Sequence, residues 1–212
     1  MRKGKPLWSS IRVLSLACLT GLLEAGCAVV PQRPTLSFLD AAYREGRVKR
    51  VAVLPFENQS RWEGADKLWR NTLISRLSTA GFEVLEPANV DKVLVVRELR
   101  PEGALERGVL AILAGRYGID GVITGTVERF ELRQMASRIS WEEGGSEREV
   151  PYLSISVRMV DANGKLLWKA RSERGGTDYA WAFGIGEIST PAGLARVMAD
   201  ELLFQLKAKG SK

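Results

Sequence analysis

Val51-Ala52-Val53-Leu54-Pro55-Phe56 decides the fold. The run is continuously apolar, whereas a strand with one wet face would alternate, so it reads as a short strand buried on both faces. Such a strand needs a layer of structure on each side, which points to an α/β protein with helices on both faces of a sheet. Pro55 marks the end of the strand, because proline donates no hydrogen bond to a ladder. Downstream, Glu57 to Gly64 is polar loop, and Ala65 to Ala80 is a helix with Leu68, Trp69, Leu73, Leu77 and Ala80 on one stripe and Gly81 placed to stop it.

The rest of the domain follows from there. Phe82 to Leu85 is a second strand, and Asn89 caps a helix from Val90 to about Leu99, with Val90, Val93, Leu94 and Arg97 at helical spacing. Pro101 and Gly103 break it, and Leu105 to Tyr117 is a further helix with Leu105, Val109, Ile112 and Leu113 inward. Ile119 to Val127 is the third strand, whose glycines suggest close approach of a neighbouring element. Glu131 to Val150 reads as a charged, glycine-containing insertion. Tyr152 to Val160 alternates, with Leu153, Ile155, Val157 and Met159 on one side, and Asp161-Ala162-Asn163-Gly164 turns the chain into a returning strand, Leu166 to Ser172. Gly175 to Glu187 is a glycine- and aromatic-rich loop. Thr190-Pro191 starts a last helix that buries Leu194, Met198, Leu202 and Leu206. The expected fold is one α/β domain, residues 50–212, with a mixed five-stranded sheet in the order β-α-β-α-α-β-β-β-α and helices on its faces. Crossover helices make the first three strands parallel, and the tight turn makes the last two antiparallel.

Composition narrows the chemistry. The 212 residues include no histidine, the commonest general base and metal ligand, so a Ser-His-Asp triad is excluded. The cysteines are Cys18 and Cys27. No metal site, cofactor or paired catalytic carboxylates are expected. The formal charge is +6, but the 31 basic residues less the four before Cys27, and the 25 acidic residues less Glu24, leave only +3. That is too mild for a nucleic-acid footprint.

The first residues carry a secretory layout: a basic start from Met1 to Pro6, an apolar stretch from Ile11 to Leu23 with Arg12 near its beginning, then Ala25 and Gly26. The stretch is short for a membrane-spanning helix. The ending Ala25-Gly26-Cys27 resembles the lipobox of bacterial lipoproteins, with Glu24 departing from it where an aliphatic residue is usual. Residues 1–26 are therefore expected to be a lipoprotein signal peptide. Cys27 would be the lipidated residue, and 27–49, with Pro31 and Pro34, a tether whose Leu36 to Gly46 stretch can pack back as an amphipathic turn or two. Alternatives are lipidation at Cys18 and an ordinary signal peptide with an incidental cysteine. Ala28 leans toward the outer membrane over the inner.

Four segments together resemble a family: Val51-Ala-Val-Leu-Pro-Phe-Glu-Asn58, Gly81-Phe-Glu-Val84, Gly118-Ile-Asp-Gly-Val-Ile-Thr-Gly-Thr-Val127, and Val157-Arg-Met-Val-Asp-Ala-Asn-Gly-Lys-Leu-Leu-Trp168. In this order they are similar to periplasm-facing lipoprotein domains related to the curli-secretion lipoprotein CsgG, the activator LpoB and the amino-terminal domain of TolB. The resemblance spans about Arg50 to Leu206. It implies an envelope domain that binds partners or assembles into rings and is not an enzyme. It also implies an outer-membrane location facing the periplasm, with an unidentified envelope protein as partner, a possible homo-oligomer, and no nucleic acid. A curli-type channel subunit would need two membrane hairpins. Here the one candidate, Phe130 to Tyr152, is interrupted by Arg129, Glu131, Arg133, Arg138, Glu142 and Glu143. An oligomeric secretion-channel component is therefore the second reading, and an envelope hydrolase the third.

Candidate partner-binding residues are the aromatics on loops. Trp141 marks the insertion tip, and Tyr179, Trp181 and Phe183 cluster in the glycine-rich loop, where they either anchor a partner or cover the end of the core. Gly184-Ile185-Gly186-Glu187 has a superficial likeness to a nucleotide loop but lacks the strand before and the helix directly after. Asp66 and Asp91 read as isolated, solvent-facing or capping helix carboxylates.

Overall fold

The structure, a computed structural model, describes residues 36–44, 47–96, 105–136, 147–181 and 185–210, all within one unit, Gln32–Lys212. The elements in order are β1 (Leu36–Leu39), the one-turn helix α1 (Ala41–Arg44), β2 (Arg50–Val53), β3 (Glu57–Asn58), α2 (Ala65–Thr79), β4 (Glu83–Val84), α3 (Pro87–Val96), α4 (Arg107–Tyr117), β5 (Gly121–Ala136), β6 (Glu147–Val160), β7 (Leu166–Gly175), a 3-10 turn (Gly176–Tyr179) and α5 (Pro191–Gly210). The sheet runs β1-β7-β6-β5-β2-β4, with β3 also on β5. β2 is parallel to β4 and β5, and β5, β6, β7 and β1 are successively antiparallel. The α/β class, the mixed sheet and the parallel and antiparallel halves are as the sequence requires.

β2 explains the layering. Val51 and Val53 point to one side, into a core closed by Trp69, Leu73 and Leu77 of α2 and by Leu194, Met198, Leu202 and Leu206 of α5. Ala52 and Leu54 point to the other, into a second core closed by Val90, Val93 and Leu94 of α3 and by Val109, Leu110 and Leu113 of α4. Each fully buried large aliphatic or aromatic side chain stabilises by roughly 1.5–3 kcal/mol, so both faces of β2 are held by several such terms. Pro55 does interrupt the ladder. Leu54 N–H still donates to the Ile123 carbonyl at 2.8 Å, and pairing with β5 resumes at Glu57↔Thr126.

Three differences from the sequence reading matter for the site. The sheet has seven strands, not five. Leu36–Leu39, assigned to the tether, is an edge strand paired with Trp168–Arg171 of β7, so the sheet begins at Leu36 rather than Arg50. The second added strand is the two-residue β3. Finally, the two flanks of the segment read as an insertion, 131–136 and 147–150, extend β5 and β6 as one ladder out to Ala136↔Glu147, and 137–146 lie outside the described residues. Charge hid this extension because Leu132, Arg133, Gln134 and Met135 are all exposed, so the end of β5 has no buried face to impose alternation.

Gly125 in β5 is required by close packing. A Cβ there would run into the backbone carbonyl of Ser156 and lie 2.9 Å from the Phe56 ring. The turn after β6 is built as its sequence asks: Asp161 Oδ1 accepts from the backbone N–H groups of Asn163 and Lys165, and Gly164 takes φ +82°.

Candidate functional site

The two surfaces named from the sequence lie on different structures. In the glycine-rich loop, Tyr179 is half-buried against the main core. Its hydroxyl donates to Glu201 Oε1 at 2.9 Å, and Arg174, itself almost fully buried, pairs with Glu201 Oε2 at 3.2 Å. Burial and the Glu201 carboxylate push the Tyr179 phenol well above its ordinary range. This side chain clamps the loop to α5. Trp181, two residues on, is 65% exposed, with its backbone N–H on the Ile185 carbonyl at 3.0 Å. Phe183, Trp141 and Cys27 lie outside the described residues. Gly186 takes φ +87°, and Glu187, its side chain largely buried, sits 2.7 Å from the Arg148 guanidinium, which ties this loop to the start of β6. The element before the loop is a 3-10 turn rather than a strand, so the geometry of a nucleotide fingerprint is not met.

The β5–β6 ladder carries the second surface. Trp62 stacks on Phe130 at 4.5 Å between centroids, and Leu132 extends the apolar strip into a shallow depression flanked by Arg61, Glu63 and Glu131. On the opposite face Arg133 lies over the Tyr152 ring at 3.2 Å to its centroid, and Met135 is exposed. The Tyr152 hydroxyl bonds Glu173.

A third surface escaped the sequence reading. α3 and α4 cover the β4-β2-β5 part of the second face and, at its margin, Val160 of β6 and Leu166 of β7. Beyond them that face turns polar, and a cleft of about 490 Å³ opens between Leu105 and Leu110 on one wall and Thr124, Thr126, Ser156, Arg158 and Lys169 on the sheet, with Glu57 at one end. The only signal in the sequence is the polar half of the β6 alternation. Among the described residues no group of three or more Cys, Asp or Glu side chains is placed to hold a metal ion, and no helix is long and apolar enough to cross a membrane. Asp91 proves to be paired rather than isolated, held by Arg70 at 2.8 Å.

This mixed α/β sheet is similar in fold to two solved bacterial proteins, one of them a lipoprotein. In particular, it is similar to that of PelC, crystallised as a dodecamer from Paraburkholderia phytofirmans, with a TM-score of 0.54 and 18% identity over 82% of this chain and 96% of that one. It is also similar to lipoprotein GNA1162 from Neisseria meningitidis, with a TM-score of 0.50 and 20% identity over 76% of this chain and 99% of that one. The LpoB carboxy-terminal domain from Escherichia coli, at a TM-score of 0.40 and 12% identity over 59% of this chain and 82% of that one, is too distant to carry an argument. No protein-family model and no curated protein matches the sequence. Identities this low relate the chains by fold alone.

Proposed function

We propose that this chain is an outer-membrane lipoprotein, anchored through Cys27 after removal of residues 1–26. Its periplasm-facing α/β domain would be a non-catalytic module for binding or assembly in envelope biogenesis or export. The observation that carries the reading is the β5–β6 ladder. Beyond the end of β7 it runs on as a two-stranded arm, where exposed Leu132 and half-buried Trp62, seated on the buried Phe130 ring, form an apolar strip with a charged rim. Aromatic anchors ringed by polar residues are what protein contact surfaces use. The secretory layout of the first residues, ending in Ala25-Gly26-Cys27, supports the compartment. Two acyl chains suffice for stable anchoring.

The second reading is an oligomer of the secretion-channel type, favoured by the dodecameric state of PelC, whose fold is similar. The arm makes a poor membrane strand: Gln134 faces Glu149 across the ladder, and Arg129, Glu131 and Arg133 lie along it. A ring of soluble domains is the form this second reading takes.

In vivo crosslinking of the full chain, with the captured proteins identified, tests the module. Leu132→Glu should remove a specific partner, or self-crosslinked copies, while wild-type folding persists by circular dichroism. An unchanged set of bystanders in both would overturn it. Palmitate labelling of wild type against Cys27→Ala tests the anchor, and equal labelling would remove it.

A further inference from the structure

We infer that the cleft on the open face of the sheet is a binding site for a sugar carrying one acidic group. The argument starts from strand register. Arg158 of β6 lies directly opposite Lys169 of β7, and Thr124 of β5 lies directly opposite Arg158 on its other side. Like charges directly across a sheet repel and destabilise the pairing. The neighbouring cations are neutralised: Arg171, on the same face of β7, by Glu128 at 2.7 Å, and Lys165, in the turn before β7, by Asp40 at 2.9 Å. Arg158 and Lys169 have no ion-pair partner among the described residues, and both are exposed to the cleft. An oxyanion seated between them relieves the repulsion and accepts charge-assisted hydrogen bonds from both.

The rest of the lining specifies what the anion is attached to. The next row across the sheet is Glu57, Thr126 and Ser156, in register. Glu57 accepts from Gln59 at 2.8 Å and from the Thr126 hydroxyl at 3.3 Å, which leaves lone pairs for ligand hydroxyls. Its charge also repels a second acidic group at that end of the cleft. Leu105, Leu110 and Leu166 supply an apolar wall that suits the C–H face of a sugar ring. A volume of about 490 Å³ falls in the range of small-molecule sites, roughly 300–1,000 Å³. Cations at one end, a hydroxyl-accepting carboxylate at the other and an apolar wall between them fit a uronic acid or a sugar monophosphate.

This site is separate from the arm, so its failure leaves the docking reading standing. The test is isothermal titration of the purified full chain in detergent with galacturonate, glucose 6-phosphate, glucose and inorganic phosphate. One of the acidic sugars should bind saturably and at least tenfold more tightly than glucose or phosphate. A preference for galacturonate assigns a carboxylate source, and one for glucose 6-phosphate a phosphoryl source. Lys169→Glu should abolish this binding while Tm stays the same or rises, because the opposed cations become an ion pair. Arg158→Gln should weaken binding at least tenfold and provides a second variant. Equal binding of glucose or phosphate, no saturable binding by either acidic sugar, or undiminished binding by both variants overturns the proposal.

Discussion

Arg70 and Asp91 join three elements at one point. From α2, the Arg70 guanidinium donates Nε and Nη2 to the Val53 carbonyl at the end of β2, at 3.1 and 3.0 Å. It also donates Nη1 and Nη2 to the two carboxylate oxygens of Asp91 on α3, at 3.2 and 2.8 Å. α2 and α3 lie on opposite faces of the sheet, so this side chain ties both layers to the strand between them.

Arg70→Met should therefore cost about 1–3 kcal/mol, because it strips the donors from a buried carbonyl. Asp91 is half exposed, so Asp91→Asn should cost no more than about 1 kcal/mol. Urea denaturation of the two variants checks the ordering. An equal loss would mean that the ion pair, rather than the carbonyl contact, does the holding.

Two glycine substitutions should move stability in opposite directions. Gly125→Ala drives a methyl into the Ser156 backbone and should destabilise by about 1–3 kcal/mol or prevent folding. Gly115→Ala, inside α4 with open space around it, should stabilise by about 0.5–1 kcal/mol. Thermal melts of the pair check both signs.

Tyr43, buried behind β1, has its phenol pushed up to about 12 by desolvation. The unfolded chain gives up this proton near its ordinary value of 10 while the folded chain keeps it, so the folded state binds more protons between the two values. Stability from this group is then complete below pH 10 and lost as pH rises toward 12. Tyr43→Phe should flatten that part of the Tm-against-pH curve. Parallel curves for variant and wild type would show that Tyr43 does not contribute.

Tyr179 and Trp181 should separate cleanly. Tyr179→Phe loses the bond to Glu201 and should cost about 1 kcal/mol. Trp181→Ala should leave Tm nearly unchanged, since the ring is exposed, and should lower partner recovery in crosslinking pull-downs. A large drop in Tm for Trp181→Ala would place that ring in the core instead.

What could be read from sequence was local. The apolar run at Val51 and the alternation from Leu153 to Met159 announce their burial within a few residues, and the stripes of α2 and α5 do so at helical spacing. What could not be read was long-range. β1 is four residues whose identity as a strand depends on β7, some 130 positions away. The Arg70–Asp91 contact spans 21 residues. The cleft exists because register sets Arg158 beside Lys169, and in sequence those are two unremarkable basic residues across a turn.

The edge strand β1 also sets the length of a leash. With Cys27 as the proposed attachment point, only eight residues separate it from the first residue bonded into the sheet, and fully extended the span reaches at most ~30 Å. The domain would ride close against the bilayer. Partners embedded in that membrane, or lying on it, come within range, and anything across the periplasmic gap must come to it.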